Sequence, residues 1–531
     1  MTSISRPRED MRPDRGLQSL AAALPERIAD FYPIARGLGR KLVLVVGPTN
    51  SGKTHRALER LKRAASGVYL GPLRLLALEV RDRLEADGFP TSLITGEQRE
   101  IRENPLAAFI ASTIEMADFD APVDVAIIDE VQMLGDTERG SAWVQAILGA
   151  PAREVWMLGS PEAQDAVEAL AEYLGEPLEV ISTERLAELE VDEHPTRFSD
   201  IPAQSVLVAF SRREVLDLAA EASNRHNRDC AVIYGSLSPE VRTAQAERFR
   251  RGDVDLVVAT DAIGMGLNLP VKHVLFTRPT KWDGKAETAL PRELVWQIAG
   301  RAGRYGQHAS GHVGALDRRT LEFIRTALAV RPATVPRFYR QGPTWPIVSA
   351  IARALQSECL EQILETFLRR VTLPDNQYFS AALGEDQIGI ARLLDHWSGM
   401  PLKTRLALSV APVPMLPKKQ VPREFVLLAN AIASGERLSL DALRYHLPPG
   451  AGAEQQRAEF AVRVLNLYCW LHYRWPDVFP DLKRAQGAIR TLNAAINRHL
   501  AKKRARRCES CRRTLSRHEP FRYCDACFHA G

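Results

Sequence analysis

Two short stretches carry residue types that act together on a phosphate. Gly47-Pro48-Thr49-Asn50-Ser51-Gly52-Lys53-Thr54 matches the pattern G-x-x-x-x-G-K-[ST], and Asp129-Glu130-Val131-Gln132 follows it by about 75 residues. In the first, glycines let backbone N–H groups close around a nucleoside triphosphate. Lys53 supplies a point charge for the β- and γ-phosphates, and the Thr54 hydroxyl is of the kind that ligates Mg²⁺. In the second, Asp129 is assigned to Mg²⁺ and Glu130 to the attacking water. An acidic pair after a strand is by itself usually a helix N-terminal charge. Behind a phosphate loop in the same sheet it becomes chemistry.

Two later stretches fit the same plan. Residues 259–268 (Ala-Thr-Asp-Ala-Ile-Gly-Met-Gly-Leu-Asn) leave a strand through Thr260 and Asp261, with Gly264 and Gly266 permitting close backbone approach. Gln297-Ile298-Ala299-Gly300-Arg301-Ala302-Gly303-Arg304 puts two arginines three apart on one helix face, where both can reach one phosphate. An arginine from a second domain makes hydrolysis depend on domain closure. Pro72 and Arg74, after one strand, and Thr113, after another, are candidates for a nucleic-acid backbone; the plainer reading is ordinary strand-to-helix turns.

Alternating strands and helices must hold these residues. Residues 42–46 read as a buried strand and 55–65 as a helix, which is the context a phosphate loop requires. Apolar runs at 68–70, 93–94, 108–111, 125–128 and 155–158 continue a parallel sheet covered on both faces, with ligands at the strand C-terminal ends. After a polar linker bracketed by His194-Pro195-Thr196 and Ile201-Pro202, runs at 205–209, 230–233, 256–259, 273–276 and 313–315 predict a second such domain. Past residue 334 the spacing turns helical. The expected divisions are 1–30 (a disordered start), 31–195, 196–335, 336–500 (helical) and 501–531 (a basic tail).

Composition sets the frame. The chain has 531 residues, 45% hydrophobic and 25% charged, and no apolar run reaches the ~18 residues of a spanning helix. No membrane contact is expected. The first 20 residues have no apolar signal core, and Glu9, Asp10 and Asp14 argue against a transit peptide. Net charge is +5, yet ten Lys/Arg against three acids fall within 498–531, so the remainder is close to neutral. Two readings of that tail stand level: a polyanion contact or a solvated charge run.

The tail also holds Cys508-x-x-Cys511 and Cys524-x-x-Cys527, with twelve residues between the pairs. Four thiolates at this spacing close a tetrahedral Zn²⁺ site that is structural rather than catalytic. A redox pair or two disulfides are the rivals. With the basic run 502–507 beside it, the site serves as a nucleic-acid clamp or a protein dock.

Taken together, these motifs resemble the superfamily 2 DExH-box helicases. More narrowly, the chain is similar to the ATP-dependent RNA helicase of the mitochondrial RNA degradosome and its bacterial relatives, through residues 31–36, the phosphate loop with Asn50, Gly71-Pro72-Leu73, Asp129-Glu130-Val131-Gln132-Met133, Arg139-Gly140, Trp143 and 259–268. The resemblance covers about 31–500. It implies two tandem RecA-like domains, α/β with parallel sheets and helices on both faces, and a helical C-terminal domain that completes an RNA channel. From the residues alone that last domain fits dimerisation as well.

The implied activity is ATP hydrolysis coupled to 3′-to-5′ unwinding of RNA, and often DNA, duplexes in RNA degradation. Single strands would pass to a 3′-exoribonuclease such as polynucleotide phosphorylase. Lys53, Thr54, Asp129, Glu130, Gln297, Arg301 and Arg304 would form the ATPase site. Asp261 would sense the nucleotide, and Thr260 and Thr113 would touch the strand. No glutamine-based adenine-reading motif precedes the loop, so weak discrimination among nucleotides is expected. The rival functions are a remodelling ATPase that does not unwind and a non-hydrolysing RNA-binding scaffold. The expected location is bacterial cytoplasm, with the mitochondrial matrix as the alternative.

Overall fold

The computed structural model describes residues 25–102, 108–264, 269, 271–303, 310–371, 373, 375–443, 454–501 and 527. Eight strands form the first sheet: β1 (Lys41–Val46), β2 (Gly67–Gly71), β3 (Thr91–Ile94), β4 (Arg99–Glu100), β5 (Phe109–Thr113), β6 (Val123–Ile128), β7 (Ala152–Gly159) and β8 (Leu178–Ser182). Their order is β4-β3-β5-β2-β6-β7-β1-β8. β4 runs antiparallel to β3 and the other pairings are parallel. The central strands are apolar at nearly every position because both faces are covered. Leu42, Leu44 and Val46 enter one core, and Val43 and Val45 enter the other.

The second sheet contains β9 (Glu188–Val191), β10 (Ser205–Val208), β11 (Cys230–Ile233), β12 (Leu256–Ala259) and β13 (His273–Phe276). After a two-stranded hairpin, β14 (Thr280–Trp282) and β15 (Glu287–Ala289), it gains β16 (Ser310–Ala315). The order is β11-β12-β10-β13-β16-β9, parallel throughout.

Two expectations change. β9 pairs with β16 although it precedes the expected 195/196 boundary, so the chain crosses between the sheets over residues 183–187. β8 and β9 are not apolar runs in the sequence: both are edge strands, β9 alternating exposed Glu188 and Glu190 with Leu189 and Val191, and β8 exposing Glu179, Val180 and Ser182. The helical region 336–500 is also not one separate body. The helices Trp345–Leu355 and Leu360–Arg370 share a core with the first sheet, while Arg423–Ser434, Glu454–His472 and Leu482–Ala501 share one with the second.

The chain returns to the first lobe after the helix Arg318–Leu328, where the Val335 N–H donates to the Glu162 carbonyl at 2.8 Å. It crosses forward again through the helices Gln387–Leu394 and Leu402–Ser409. Their Ala391, Leu402 and Leu406 enter the first core, and Ile390, Leu394 and Leu408 enter the second.

Candidate active site

The phosphate loop connects β1 to the helix Lys53–Leu61, with Gly52 before that helix at φ 81° and Asn50 at φ 67°. Asparagine is one of the few non-glycine residues that enter this left-handed region readily, which suits Asn50 to the loop. Lys53 Nζ donates to the carbonyls of Gly47 at 2.6 Å and Pro48 at 2.7 Å. Burial pushes its pKa down, and the charges of Glu130 and Asp129 push back. The ammonium is therefore desolvated and near two acids, where a phosphate competes well for it.

Asp129 sits at the end of β6, 6% exposed. Tyr69 Oη donates to its Oδ2 at 2.8 Å, the Glu130 N–H donates to its Oδ1 at 2.9 Å, and Trp143 Nε1 holds its carbonyl at 2.8 Å. Burial, then Glu130, raises its carboxyl pKa to about 6, and the tyrosine bond works against that rise. A desolvated carboxylate beside a second acid, with the Thr54 hydroxyl on the loop, is a hard-oxygen donor set that fits Mg²⁺. Glu130 has φ 55°, also left-handed. Gln132 Nε2 donates to Glu130 Oε2, and Gln132 Oε1 accepts from the Ser160 N–H at 3.2 Å. This glutamine thus fixes the Glu130 carboxylate and ties it to the end of β7. Gly159 has to be glycine, since a Cβ there would meet Val131 Cγ2 at 2.6 Å.

The second lobe closes directly on this loop. Asn50 Nδ2 donates to the Gly303 carbonyl at 2.5 Å, and Gly300 lies against Thr49. Arg301 donates through Nε and Nη2 to the Gly264 carbonyl at 3.1 and 2.5 Å. Burial lowers its pKa while the charges of Glu130, Glu79 and Asp129 raise it, so this guanidinium lies within electrostatic reach of the acidic pair. Gln297 packs over Gly264 on the same side. Such a constellation can bind a triphosphate, orient a water and neutralise charge developing on the γ-phosphoryl group.

The remaining expected residues spread along the cleft. Asp261 Oδ2 pairs with Lys281 of the β14–β15 hairpin at 3.6 Å. Thr260 is buried, and its hydroxyl accepts from the Ala262 N–H at 3.3 Å. Pro72 is buried and its carbonyl accepts from Arg139 Nη2 at 2.5 Å, while Thr113 ends β5. Arg74 donates to Gln98 Oε1 at 2.9 Å and reaches across to Glu240 of the second lobe, which Asn493 Nδ2 also contacts at 3.4 Å. Opposite, Trp470 lies against Gly96 and carries the Arg474 guanidinium over its ring at 3.5 Å. Trp470 is buried there, so this pair ties the helix Glu454–His472 to the first lobe rather than offering a ring face to a strand. Arg304, Gly266, Cys508, Cys511 and Cys524 lie outside the described residues. Cys527 is described, and among the described residues no cluster fit for a metal is present.

Sequence reading missed Tyr69, the Gln132 clasp and the crossing residues Thr183 and Arg185. Tyr69 had a usable signal, because a tyrosine in the middle of a buried strand must find a partner for its hydroxyl.

Three family profiles match in series: the DEXQ-box helicase domain of Suv3 over 29–183, the helicase conserved C-terminal domain over 192–306, and the ATP-dependent RNA helicase SUV3 C-terminal domain over 456–502. The mitochondrial DExH-box ATP-dependent RNA helicase DExH16 of Arabidopsis thaliana is 37% identical over 482 residues, 88% of this chain and 82% of that protein. Mitochondrial SUV3 of Saccharomyces cerevisiae is 33% identical over 86% of this chain and 64% of its own length, and the Drosophila melanogaster homolog is 34% identical over 88% and 63%. The chain thus spans just under two thirds of the yeast and fly relatives. Among solved structures, S. cerevisiae Dbp5 bound to RNA and ADP BeF3 is similar over 74% of this chain and 97% of that one, at 16% identity and a TM-score of 0.42. A two-lobed motor with its acidic pair, loop lysine and cross-lobe arginine in one cleft, matched along nearly its whole length, belongs to the SUV3 family of DExH-box ATP-dependent RNA helicases.

Proposed function

We propose that this chain couples ATP hydrolysis to 3′-to-5′ movement along RNA, separating RNA duplexes, and DNA duplexes as well, ahead of a 3′-exoribonuclease. The observation that carries the reading is the composite site, in which Asn50 of the phosphate loop bonds across to Gly303 and Arg301 of the second lobe lies within electrostatic range of the Asp129–Glu130 pair. Lys53 and the loop N–H groups bind the phosphates. Glu130, its carboxylate clasped by Gln132, orients the water and takes its proton as the oxygen adds to the γ-phosphorus. The bond from that phosphorus to the β–γ bridging oxygen breaks, ADP departs, and Arg301 with Arg304 offsets the charge on the transferring group. Mg²⁺, held by Thr54 and Asp129, supplies charge neutralisation on the phosphates when bound.

Cys508, Cys511, Cys524 and Cys527 are assigned to one structural Zn²⁺ on sequence spacing alone. The relatives named above are mitochondrial proteins, which supports a matrix location; the comparisons give the bacterial cytoplasm no support. A displacement assay with 3′- and 5′-tailed RNA and DNA duplexes, ATPase turnover measured alongside and Lys53→Ala as control, tests the function. Displacement of 3′-tailed duplexes with ATP is expected. RNA-stimulated ATPase without displacement selects a remodelling enzyme instead, and neither activity selects a scaffold.

A further inference from the structure

The crossing segment between the two sheets does more than connect them. Thr183 bonds into the phosphate loop, its N–H to the Val46 carbonyl at 2.8 Å and its hydroxyl to Ser51 Oγ at 2.9 Å. Three residues on, the Leu186 N–H donates to the Asn50 carbonyl at 3.2 Å. Between these anchors the Arg185 side chain turns toward the other lobe. Its Nη1 donates to the Gly300 carbonyl at 3.3 Å, its Nη2 to the Ala302 carbonyl, and its Nε folds back to the Ala187 carbonyl at 2.7 Å. The two cross-lobe carbonyls flank Arg301. A planar guanidinium fork is the side chain that can span two such acceptors at once.

We infer that Arg185 is a positioning residue that fixes the Arg301 backbone to the phosphate loop, so that the cross-lobe arginine reaches the γ-phosphate only when loop and strap are in register. This rests on the reading of Arg301 given above. The main chain on either side of Arg185 is bonded to the loop, and its guanidinium holds the carbonyls of Gly300 and Ala302, the residues on either side of Arg301. A displacement of the loop is therefore passed to Arg301 through the Arg185 side chain. Burial lowers the Arg185 pKa, and its N–H groups donate to backbone carbonyls. A side chain kept for surface solubility would not be placed this way.

The test compares Arg185→Ala, Arg185→Lys and Arg301→Ala in the full chain, measuring kcat and KM for ATP at saturating RNA, ATP affinity by a fluorescent analogue, and thermal unfolding. Arg185→Ala is expected to lower kcat about tenfold, with KM and analogue affinity within twofold of the parent. Arg185→Lys, which keeps the charge but reaches one carbonyl at a time, should fall between the two. If Arg185→Ala does not fold, the lysine variant carries the same comparison. A kcat within twofold of the parent in both Arg185 variants overturns the inference while Arg301→Ala remains crippled. Equal losses in kcat and analogue affinity overturn it too, marking Arg185 as loop scaffolding. If Arg301→Ala itself turns over normally, the underlying reading of the site fails instead.

Discussion

Replacing Gly300 by alanine separates closure of the cleft from folding of either lobe. Gly300 has φ −57°, ordinary helical backbone, so alanine costs nothing conformationally and by intrinsic propensity gains roughly 0.5–1 kcal/mol. The added Cβ would nevertheless sit 2.8 Å from Thr49 Cβ and 2.9 Å from Thr49 Oγ1, across the interface between lobes. Unstrained carbon contacts lie at about 3.5–4.0 Å, so the lobes must part by about 1 Å. A misplacement of about 1 Å can cost ~10²-fold in rate. Gly300→Ala should therefore bind ATP within about threefold of the parent, because the loop belongs to the first lobe, yet lose between about tenfold and 10²-fold in RNA-stimulated kcat. Thr49→Gly in the same chain removes both clashing atoms and should restore most of the rate. Steady-state ATPase with a fluorescent-nucleotide titration reads both quantities. Turnover by Gly300→Ala within twofold of the parent refutes the closed-cleft reasoning. Failure of Thr49→Gly to rescue shows instead that the tight approach to the Trp296 carbonyl, 3.1 Å away in the same turn, is responsible.

Tyr69→Phe leaves the Asp129 carboxylate without its 2.8 Å donor and should destabilise the first lobe by about 1.5–3 kcal/mol in urea unfolding at pH 7; no measurable change would mean water replaces the hydroxyl at no cost. Arg74→Ala should reduce the slope of log affinity against log salt for single-stranded RNA by about 0.7, the amount for one lost phosphate contact, and an unchanged slope would leave Arg74 as a strut to Gln98 and Glu240. Metal analysis of reduced full-length protein should find one zinc per chain, lowered by Cys508→Ser; zinc-free protein removes the tail assignment.

What could be read from the sequence follows the range of each interaction. The phosphate loop, the Asp129–Glu130 pair and eleven of the strands are local patterns, encoded within a few neighbouring residues. Arg74 illustrates the opposite case. Its type and place suggested a phosphate contact, but its pairing with Glu240 depends on how two lobes meet and has no local trace. The same holds for Trp470 against Gly96 and for Arg185 against residues 300 and 302. Thr260 shows a third limit, since a hydroxyl after a strand can face a ligand as well as bond its own turn, and residue type alone does not separate the two roles.

The repeated crossing of the chain between lobes has a mechanical consequence. Two bodies on one flexible tether keep six relative degrees of freedom, but these lobes are joined at 183–187, again after the helix Arg318–Leu328, and again through the helices Gln387–Leu394 and Leu402–Ser409. Short connections at three places remove most translations and leave a limited rotation. The lobes cannot drift apart after ADP leaves, so reclosure is an intramolecular event at high effective concentration, independent of protein dilution. Opening and closing of a cleft held this way is a limited rotation about retained connections, not an encounter between separate bodies.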